Sequence, residues 1–252
     1  MAVNFRHALV TGGGSGIGRA IAEALAQAGV TVTICGRRVE ALEAVAEGNP
    51  NIHVQVADVT DEDSVAQLYE RAQAARGPFD IVIANAGMAV SAPAGKTSLE
   101  LWQQTMSVNL TGAFLSVRPA IDPMRKTGSG RIVFIASIAG LKGAPYISAY
   151  VASKHGVVGL TRALAAELAH TEVTVNAVCP GYVETPMLER TVANIIEKTG
   201  RDEASARAAV TKDNPQGRII TPQEVAETVL WLCGEGARSV TGQAIAMAGG
   251  EA

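Results

Sequence analysis

The chain has 252 residues, which is enough for one large domain with a sizeable buried core. Its net charge of −3 is too small to indicate a nucleic-acid partner or a membrane surface, and no apolar run is long enough to span a bilayer. The three cysteines are far apart and form no Cys-x-x-Cys pair, and no apolar signal segment precedes the first strand, so we expect no disulfide framework, no metal site and a reducing, cytoplasmic compartment.

Apolar runs alternate with helical patterns along the whole chain. The apolar residues are mostly Ala, Val, Ile and Leu, which is typical of helices packed on a parallel sheet. No repeat, low-complexity tract or linker interrupts this pattern. The sequence therefore predicts an α/β fold, one doubly wound domain over residues 1–252. The predicted strands are 7–11, 30–35, 52–57, 79–84, 131–136, 173–178 and 243–247.

A glycine-rich turn follows the first strand and precedes an amphipathic helix over residues 17–28. Backbone N–H groups can approach an anion closely where no Cβ intervenes, and the helix N-terminus adds favourable partial charge. The spacing Thr-Gly-x-x-x-Gly-x-Gly differs from the commonest dinucleotide fingerprint, and a tight connection without a ligand is the alternative. We predict a nucleotide phosphate site made by Gly12, Ser15, Gly16, Ile17 and Gly18.

The end of the second strand bears on cofactor choice. An acidic residue there would bond the adenosine ribose, whereas an arginine would pair with a 2′-phosphate. The sequence has Arg37 and Arg38 and no carboxylate, so NADP(H) is favoured and NAD(H) is possible. The alternative is that the two arginines open a solvated helix.

The third and fourth strands also end in polar residues. Asp58, followed by Val59, could bond an adenine amino group or could cap the turn, and Thr60 with Asp63 resembles a helix capping box. The fourth strand leads into a second cofactor candidate, in which the amide ties strand ends together and the glycine lets the backbone pass close to a ligand. It consists of Asn85, Ala86 and Gly87.

A long helical pattern over residues 97–120 carries an apolar stripe typical of core or a subunit interface (Trp102, Met106, Leu110 and Phe114). Within it, Asn109 lies among apolar neighbours, where a mid-helix Asn is disfavoured and needs a hydrogen-bond partner. It either makes a buried structural contact or positions a water or a carbonyl beside Lys154.

Ser137 follows the fifth strand, and Tyr150 and Lys154 are four residues apart in a predicted helix that continues to about residue 170. Residues at this spacing share one face of a helix. A nearby ammonium lowers the pKa of a phenol, so we predict that Lys154 makes Tyr150 a general acid or base beside the Ser137 hydroxyl. A surface Tyr–Lys pair and an unrelated serine are the alternative.

After the sixth strand, Pro180 and Gly181 predict a sharp turn that could seat a nicotinamide ring, with Val183 and Thr185 close to the cofactor. Residues 187–215 have mixed charge and are too long for a plain loop, so they are predicted to form a helical substrate lid. A capping pattern at 221–224 starts the last helix.

In their order and spacing, these motifs resemble the short-chain dehydrogenase/reductase family, in its compact single-domain branch. The resemblance covers essentially the whole chain. It implies a seven-stranded parallel sheet, a nicotinamide cofactor held in part by Tyr150 and Lys154, and a homotetramer or homodimer. It also implies a catalytic tetrad of Asn109, Ser137, Tyr150 and Lys154.

The stretch 175–187 is similar to bacterial 3-oxoacyl-thioester and polyketide ketoreductases, so reduction of a 3-oxoacyl thioester is the leading expectation for the substrate. A basic trio (Arg125, Lys126 and Arg131) could meet an acidic carrier protein or the phosphates of coenzyme A. Against this, His170 and Thr171 stand where carrier-binding enzymes tend to have an arginine. A sugar, polyol or cyclic-alcohol dehydrogenase, and a non-catalytic nucleotide sensor on the same fold, are the alternatives.

Overall fold

The computed structural model describes residues 4–212 and 214–251. Residues 1–3 and 252 of the predicted domain and Asp213 of the predicted lid lie outside the described residues. One sheet has the strand order β3-β2-β1-β4-β5-β6-β7, and each neighbouring pair is parallel. This confirms the predicted sheet. Its strands are β1 His7–Thr11, β2 Thr31–Gly36, β3 Ile52–Val56, β4 Ile81–Ala84, β5 Ser129–Ile135, β6 Glu172–Pro180 and β7 Ala244–Met247.

Helices cover both faces of the sheet, as expected for parallel strands joined by crossovers. One face carries a core of β-strand side chains packed on α1, α2 and α9, and the other face packs on α3, α5 and α6. The helices are α1 Gly16–Gln27, α2 Val39–Ala46, α3 Glu62–Arg76, α4 Leu99–Met106, α5 Gly112–Thr127, α6 Ser148–Glu167, α7 Pro186–Thr199, α8 Glu203–Thr211 and α9 Pro222–Cys233.

The predicted continuous helix over 97–120 is interrupted. One turn of π-helix, Ser107–Thr111, separates α4 from α5, and α5 continues to Thr127. Asn109 is the buried residue of the π-turn, and its amide bonds outside the helix. Such single turns mark places where a side chain takes precedence over regular helix geometry.

The apolar stripe on this segment is only partly core. Trp102 is 38% and Phe114 is 36% exposed, and Leu99 beside them is 70% exposed, whereas Leu110 packs partly against the core.

The structure confirms one of the two predicted helix caps and corrects the other. Thr221 and Glu224 form the complete capping box at the start of α9. The N-cap of α3 is Asp61 and not Thr60, because the Asp61 carboxylate accepts from the N–H groups of Asp63 and Ser64. The Thr60 hydroxyl donates instead to Asp58 at 2.8 Å.

The predicted lid region contains two helices, α7 and α8, with their own small apolar cluster. Arg207 of α8 joins them through ion pairs to Glu189 at 2.6 Å and to Glu184 at 3.3 Å. Among the described residues, no helix has the length and apolar character needed to cross a membrane.

The carboxyl ends of β1 and β4 are joined by Thr11 and Asn85. The Thr11 hydroxyl accepts from the N–H groups of Asn85 and Ala86, each at 3.0 Å, and the Asn85 amide donates to Thr11 O at 2.8 Å and Gly12 O at 3.3 Å. This confirms that Asn85 ties strand ends together. Strand order reverses here, so the contact holds the crevice in which doubly wound folds bind ligands.

Thr11→Val should destabilise the protein by about 1–3 kcal/mol, because it removes the shared acceptor of two N–H groups while keeping the side-chain shape. Urea unfolding measures the change. Thr11→Ser, which keeps the oxygen, is the control and should be the more stable of the two variants. Equal stability of the Val and Ser variants would contradict the role of the hydroxyl.

Candidate active site

The predicted site residues lie at one edge of the sheet, because the strands are parallel and each residue follows a strand's carboxyl end. The glycine turn follows β1, Arg37 follows β2, Asp58 follows β3, Asn85 follows β4 and Ser137 follows β5. The long helix α6 brings Tyr150 and Lys154 to the same edge. Residues far apart in sequence thus surround one crevice.

The glycine turn is shaped by close backbone approaches. Gly12 and Gly16 have left-handed φ values of 65° and 55°. At Gly18 a Cβ would lie 2.4 Å from Gly12 O and 2.5 Å from the Asn85 amide nitrogen, so α1 can pack here only without a side chain. Ser15 is the extended N-cap of α1, and its side chain makes no cap hydrogen bond, while Ile17 packs partly buried against the core.

The ends of β2 and β3 bring a cation and an anion together. Arg37 is 73% exposed and lies 3.8 Å from the Asp58 carboxylate, and Arg38 is the N-cap residue of α2. Burial alone would raise the pKa of Asp58, but hydrogen bonds from Thr60 and the charge of Arg37 bring it below its ordinary value. Asp58 therefore caps the turn, as one of its two predicted roles required. Val59 is buried against Gly112.

Ser137 and Tyr150 form a polar pair at the end of β5. The Ser137 side chain accepts from Ala139 N–H at 3.1 Å and donates to Pro180 O at 3.5 Å, and it lies close enough to the Tyr150 phenol to affect the pKa of that phenol. Burial raises the pKa of Tyr150, and the interaction with Ser137 lowers it by less. The phenol is therefore fully protonated at neutral pH.

Lys154 is 5% exposed, and its Nζ lies 5.7 Å from the centre of the Tyr150 ring, so the two side chains do share one face of α6. The ammonium donates to Ile135 O at 2.7 Å. The expected net lowering of the Tyr150 pKa is not found, because burial outweighs the groups that lower it and the Lys154 ammonium is turned to the strand. Burial lowers the pKa of Lys154 itself to about 8.

Asn109 connects the π-turn to two other segments. Its Oδ1 accepts from Met88 N–H at 2.8 Å, and its Nδ2 donates to Met88 O at 2.9 Å and to Ser153 Oγ at 3.1 Å. Ser153 in turn donates to Tyr150 O at 2.8 Å. The structural alternative for Asn109 therefore holds, and its amide also lies close to Lys154, since both side chains approach Gly87.

The segment after β6 completes the crevice. Pro180 is the last residue of β6, and Gly181 N–H donates to Met247 O at 2.9 Å, so the sheet ladder continues where a sharp turn was predicted. Val183 is buried. Thr185 caps α7 by accepting from Leu188 N–H, and its methyl group lies against Gly16 of the glycine turn.

The basic trio does not contribute to this edge. Arg131 is at the beginning of β5, so the strand's length, roughly 3.3 Å per residue, separates it from Ser137. Its side chain is 3% exposed and donates to Gly130 O and Glu172 O, while Arg125 pairs with Glu167 at 2.5 Å. The trio forms no exposed docking patch beside the crevice.

Sequence reasoning missed two residues that hold the site together, Thr11 and Ser153. Thr11 was visible only as the residue before the glycine turn, and its bonds to the end of β4 depend on strand order. Ser153 lies between Tyr150 and Lys154 and meets Asn109, a second polar residue in mid-helix. Two such residues in different helices were the available signal.

The crevice fits a dinucleotide. The glycine turn offers backbone N–H groups and the N-terminus of a twelve-residue helix without a side-chain cap, which suits a pyrophosphate. The exposed Arg37 and Arg38 lie at the end of β2, where the adenosine ribose of such a ligand is recognised. The chemistry of these groups agrees with a dinucleotide.

Comparison with known proteins supports the same conclusion. The model of the short chain dehydrogenase family matches residues 6–195. The chain is 37% identical to D-beta-hydroxybutyrate dehydrogenase of Rhizobium meliloti (96% of this chain and 97% of the relative) and 40% identical to a Streptomyces coelicolor protein named as a ketoacyl reductase (96% and 95%).

Among solved structures, a variant of actinorhodin polyketide ketoreductase with NADPH superposes with a TM-score of 0.95 at 38% identity, covering 100% of this chain and 99% of that one. With the glycine turn, the strand-end residues and the Ser-Tyr-Lys cluster in place, the chain belongs to the short chain dehydrogenase family and is an NAD(P)-dependent oxidoreductase that interconverts ketones and secondary alcohols.

Proposed function

We propose that this enzyme reduces a β-keto compound, foremost a 3-oxoacyl thioester, with NADPH. The observation that carries the proposal is that Ser137, after the carboxyl end of β5, and Tyr150 of α6 lie together at the edge of the sheet that also carries the glycine turn. The relatives support the substrate class, since their names refer to a ketoacyl group and to β-hydroxybutyrate, the alcohol of a β-keto acid.

In this proposal, Ser137 and Tyr150 donate hydrogen bonds to the substrate carbonyl oxygen. Donors fixed where negative charge develops stabilise the transition state more than the ground state. The raised pKa of Tyr150 suits the reducing direction, because the phenol holds a proton to give. In the oxidising direction the same phenol would have to be deprotonated first.

Lys154 and Asn109 complete the proposed tetrad. The Lys154 ammonium places positive charge next to the phenol and stabilises the anionic form that follows proton transfer. Asn109 holds the backbone of Met88 and, through Ser153, the carbonyl of Tyr150, so it fixes the loop after β4 relative to α6.

When bound, the nicotinamide cofactor supplies or accepts the hydride. The glycine turn would hold its pyrophosphate, and Arg37 would pair with the 2′-phosphate that distinguishes NADP from NAD. The other residues that we propose to line the cofactor are Gly12, Ser15, Gly16, Ile17, Gly18, Arg38, Asp58, Val59, Asn85, Ala86, Gly87, Tyr150, Lys154, Pro180, Gly181, Val183 and Thr185.

We propose that the segment 187–215 is the substrate lid of this single-domain enzyme. Asn194 of α7 donates to Ser91 Oγ at 2.9 Å, and this contact connects the segment to the loop after β4 across the crevice. The segment is therefore tied to the loop after β4, and its side chains would select the substrate.

Assembly and compartment are also proposed. The exposed Leu99, Trp102 and Phe114 on α4 and α5 support a homotetramer or homodimer through these helices. The three cysteines are buried free thiols, which supports a cytoplasmic, reducing compartment.

Wild-type enzyme should oxidise NADPH when given a 3-oxoacyl thioester, and less efficiently when given sugars, polyol ketones or simple cyclic ketones. Tyr150→Phe should lower turnover by roughly 10²- to 10⁴-fold, because the general acid is lost while the ring remains. Steady-state kinetics over this panel, with NADPH binding by calorimetry, provide the measurement. Tight NADPH binding in both proteins with no turnover of any ketone by the wild type would refute the proposed function.

Arg37→Asp should shift the ratio of kcat/KM values for NADPH and NADH towards NADH by roughly tenfold or more, about 1.4 kcal/mol, because a cation is replaced by an anion facing the 2′-phosphate. Arg37→Met is the matched control and should weaken NADPH use without improving NADH use. An unchanged ratio in Arg37→Asp would show that Arg37 does not select the cofactor.

The rate of reduction should be steady below about pH 8 and fall above it. Burial lowers the pKa of Lys154 to about 8, and a lysine carries its positive charge only below its pKa. A pH profile of kcat for ketone reduction measures this fall in rate above about pH 8. Lys154→Met should have lower activity at every pH and should not show the fall. A wild-type profile that stays level to pH 10 would contradict the role of the lysine charge.

A further inference from the structure

Contacts outside the crevice hold the turn that begins at Ser137. Ser137 begins a short 3-10 turn, Ile138–Gly140, which continues through the N–H groups of Leu141 and Lys142, both bonded to Ile138 O. At Gly140 a Cβ would lie 2.7 Å from Lys154 O, so the turn rests directly on the backbone of α6. A shift of this turn would move Ser137 relative to Tyr150.

Lys142, at the end of this turn, pairs with Glu251. Its Nζ lies 2.9 Å from the Glu251 carboxylate and 3.4 Å from Glu251 O. The Glu251 side chain is only 10% exposed, whereas the carboxylates of most ion pairs in this protein are at least one-third exposed. The carboxylate of this pair is therefore shielded from solvent, while the Lys142 side chain stays 39% exposed.

The same segment contacts the end of the lid. Residues 248–251 turn back after β7 through a hydrogen bond from Glu251 N–H to Ala248 O, with left-handed φ values of 63° at Gly249 and 95° at Gly250. A Cβ at Gly249 would lie 2.1 Å from Asn214 Oδ1. Asn214 is buried and bonds Gln216 N–H and Arg218 O, so it is itself fixed.

We propose that residues 248–251 form a strap that joins the end of the lid to the Ser137 turn, and that Lys142 and Glu251 are positioning residues for the reaction. This inference rests on the proposed role of Ser137. The strap holds the turn against α6 through the ion pair, and it contacts the lid through Gly249. The Ser137 hydroxyl then stays in register with the Tyr150 phenol.

The test uses Glu251→Gln, which keeps the shape of the side chain but removes its charge. We expect kcat for ketone reduction to fall roughly three- to tenfold, since small misplacements of a catalytic group are costly. NADPH affinity should be unchanged. The charge-reversed double variant Lys142→Glu with Glu251→Lys should recover most of the loss. The matched control is Arg125→Met with Glu167→Gln, an exposed pair at the opposite edge of the sheet, and it should keep wild-type kcat.

Hydrogen–deuterium exchange of residues 138–142 provides a readout that does not depend on turnover. Exchange of these amides should accelerate in Glu251→Gln and stay at the wild-type rate in the control. The strap would be overturned if Glu251→Gln left both the exchange rates and kcat unchanged, or if it lowered only the melting temperature. An inactive wild type with faster exchange in Glu251→Gln would support the strap and refute the proposed function instead.

Discussion

The hydrogen bonds that join Thr11 to Asn85 and Ala86 are the constraint on which the site depends. They close the carboxyl ends of β1 and β4 where the order of strands reverses, and the Asn85 amide reaches on to the carbonyl of Gly12. Helix α1 packs so tightly onto this junction that Gly18 has no space for a Cβ. Because the junction positions both the glycine turn and the loop that leads to Met88, it sets the two walls of the crevice at once.

A second polar network connects that wall to the proposed proton donor. The buried amide of Asn109 bonds both backbone groups of Met88, and through Ser153 it reaches the carbonyl of Tyr150. In a regular α-helix this amide would point in another direction, so the π-turn is the local distortion that places it. Buried polar groups of this kind are costly unless every donor and acceptor is used. This network uses both ends of the amide, so it adds rigidity where a substrate carbonyl must be held.

The electrostatics of the cluster follow from burial more than from the pairing of charges. Desolvation raises the pKa of Tyr150 and lowers that of Lys154, so the phenol keeps its proton and the ammonium is poised near neutrality. The hydrogen bond from Lys154 to Ile135 O keeps the charge on the strand side of the phenol. A protonated phenol beside a cation suits the proposed donation of a proton to a ketone oxygen.

The sequence by itself determined the α/β class, the seven strands, the edge at which the site lies and the shared face of Tyr150 and Lys154. These predictions follow from the period of the apolar residues, the position of polar residues at strand ends and the four-residue spacing of Tyr150 and Lys154, all of which are local properties of the sequence. Only the tertiary structure decided that Lys154 turns to Ile135, that Asp61 replaces Thr60 as the cap of α3, that Asn109 sits in a π-turn, that Arg131 is buried away from the crevice and that Lys142 meets Glu251. Each of these depends on groups brought together from distant parts of the chain. Their geometry and desolvation are set by packing, which residue order along a single segment does not encode.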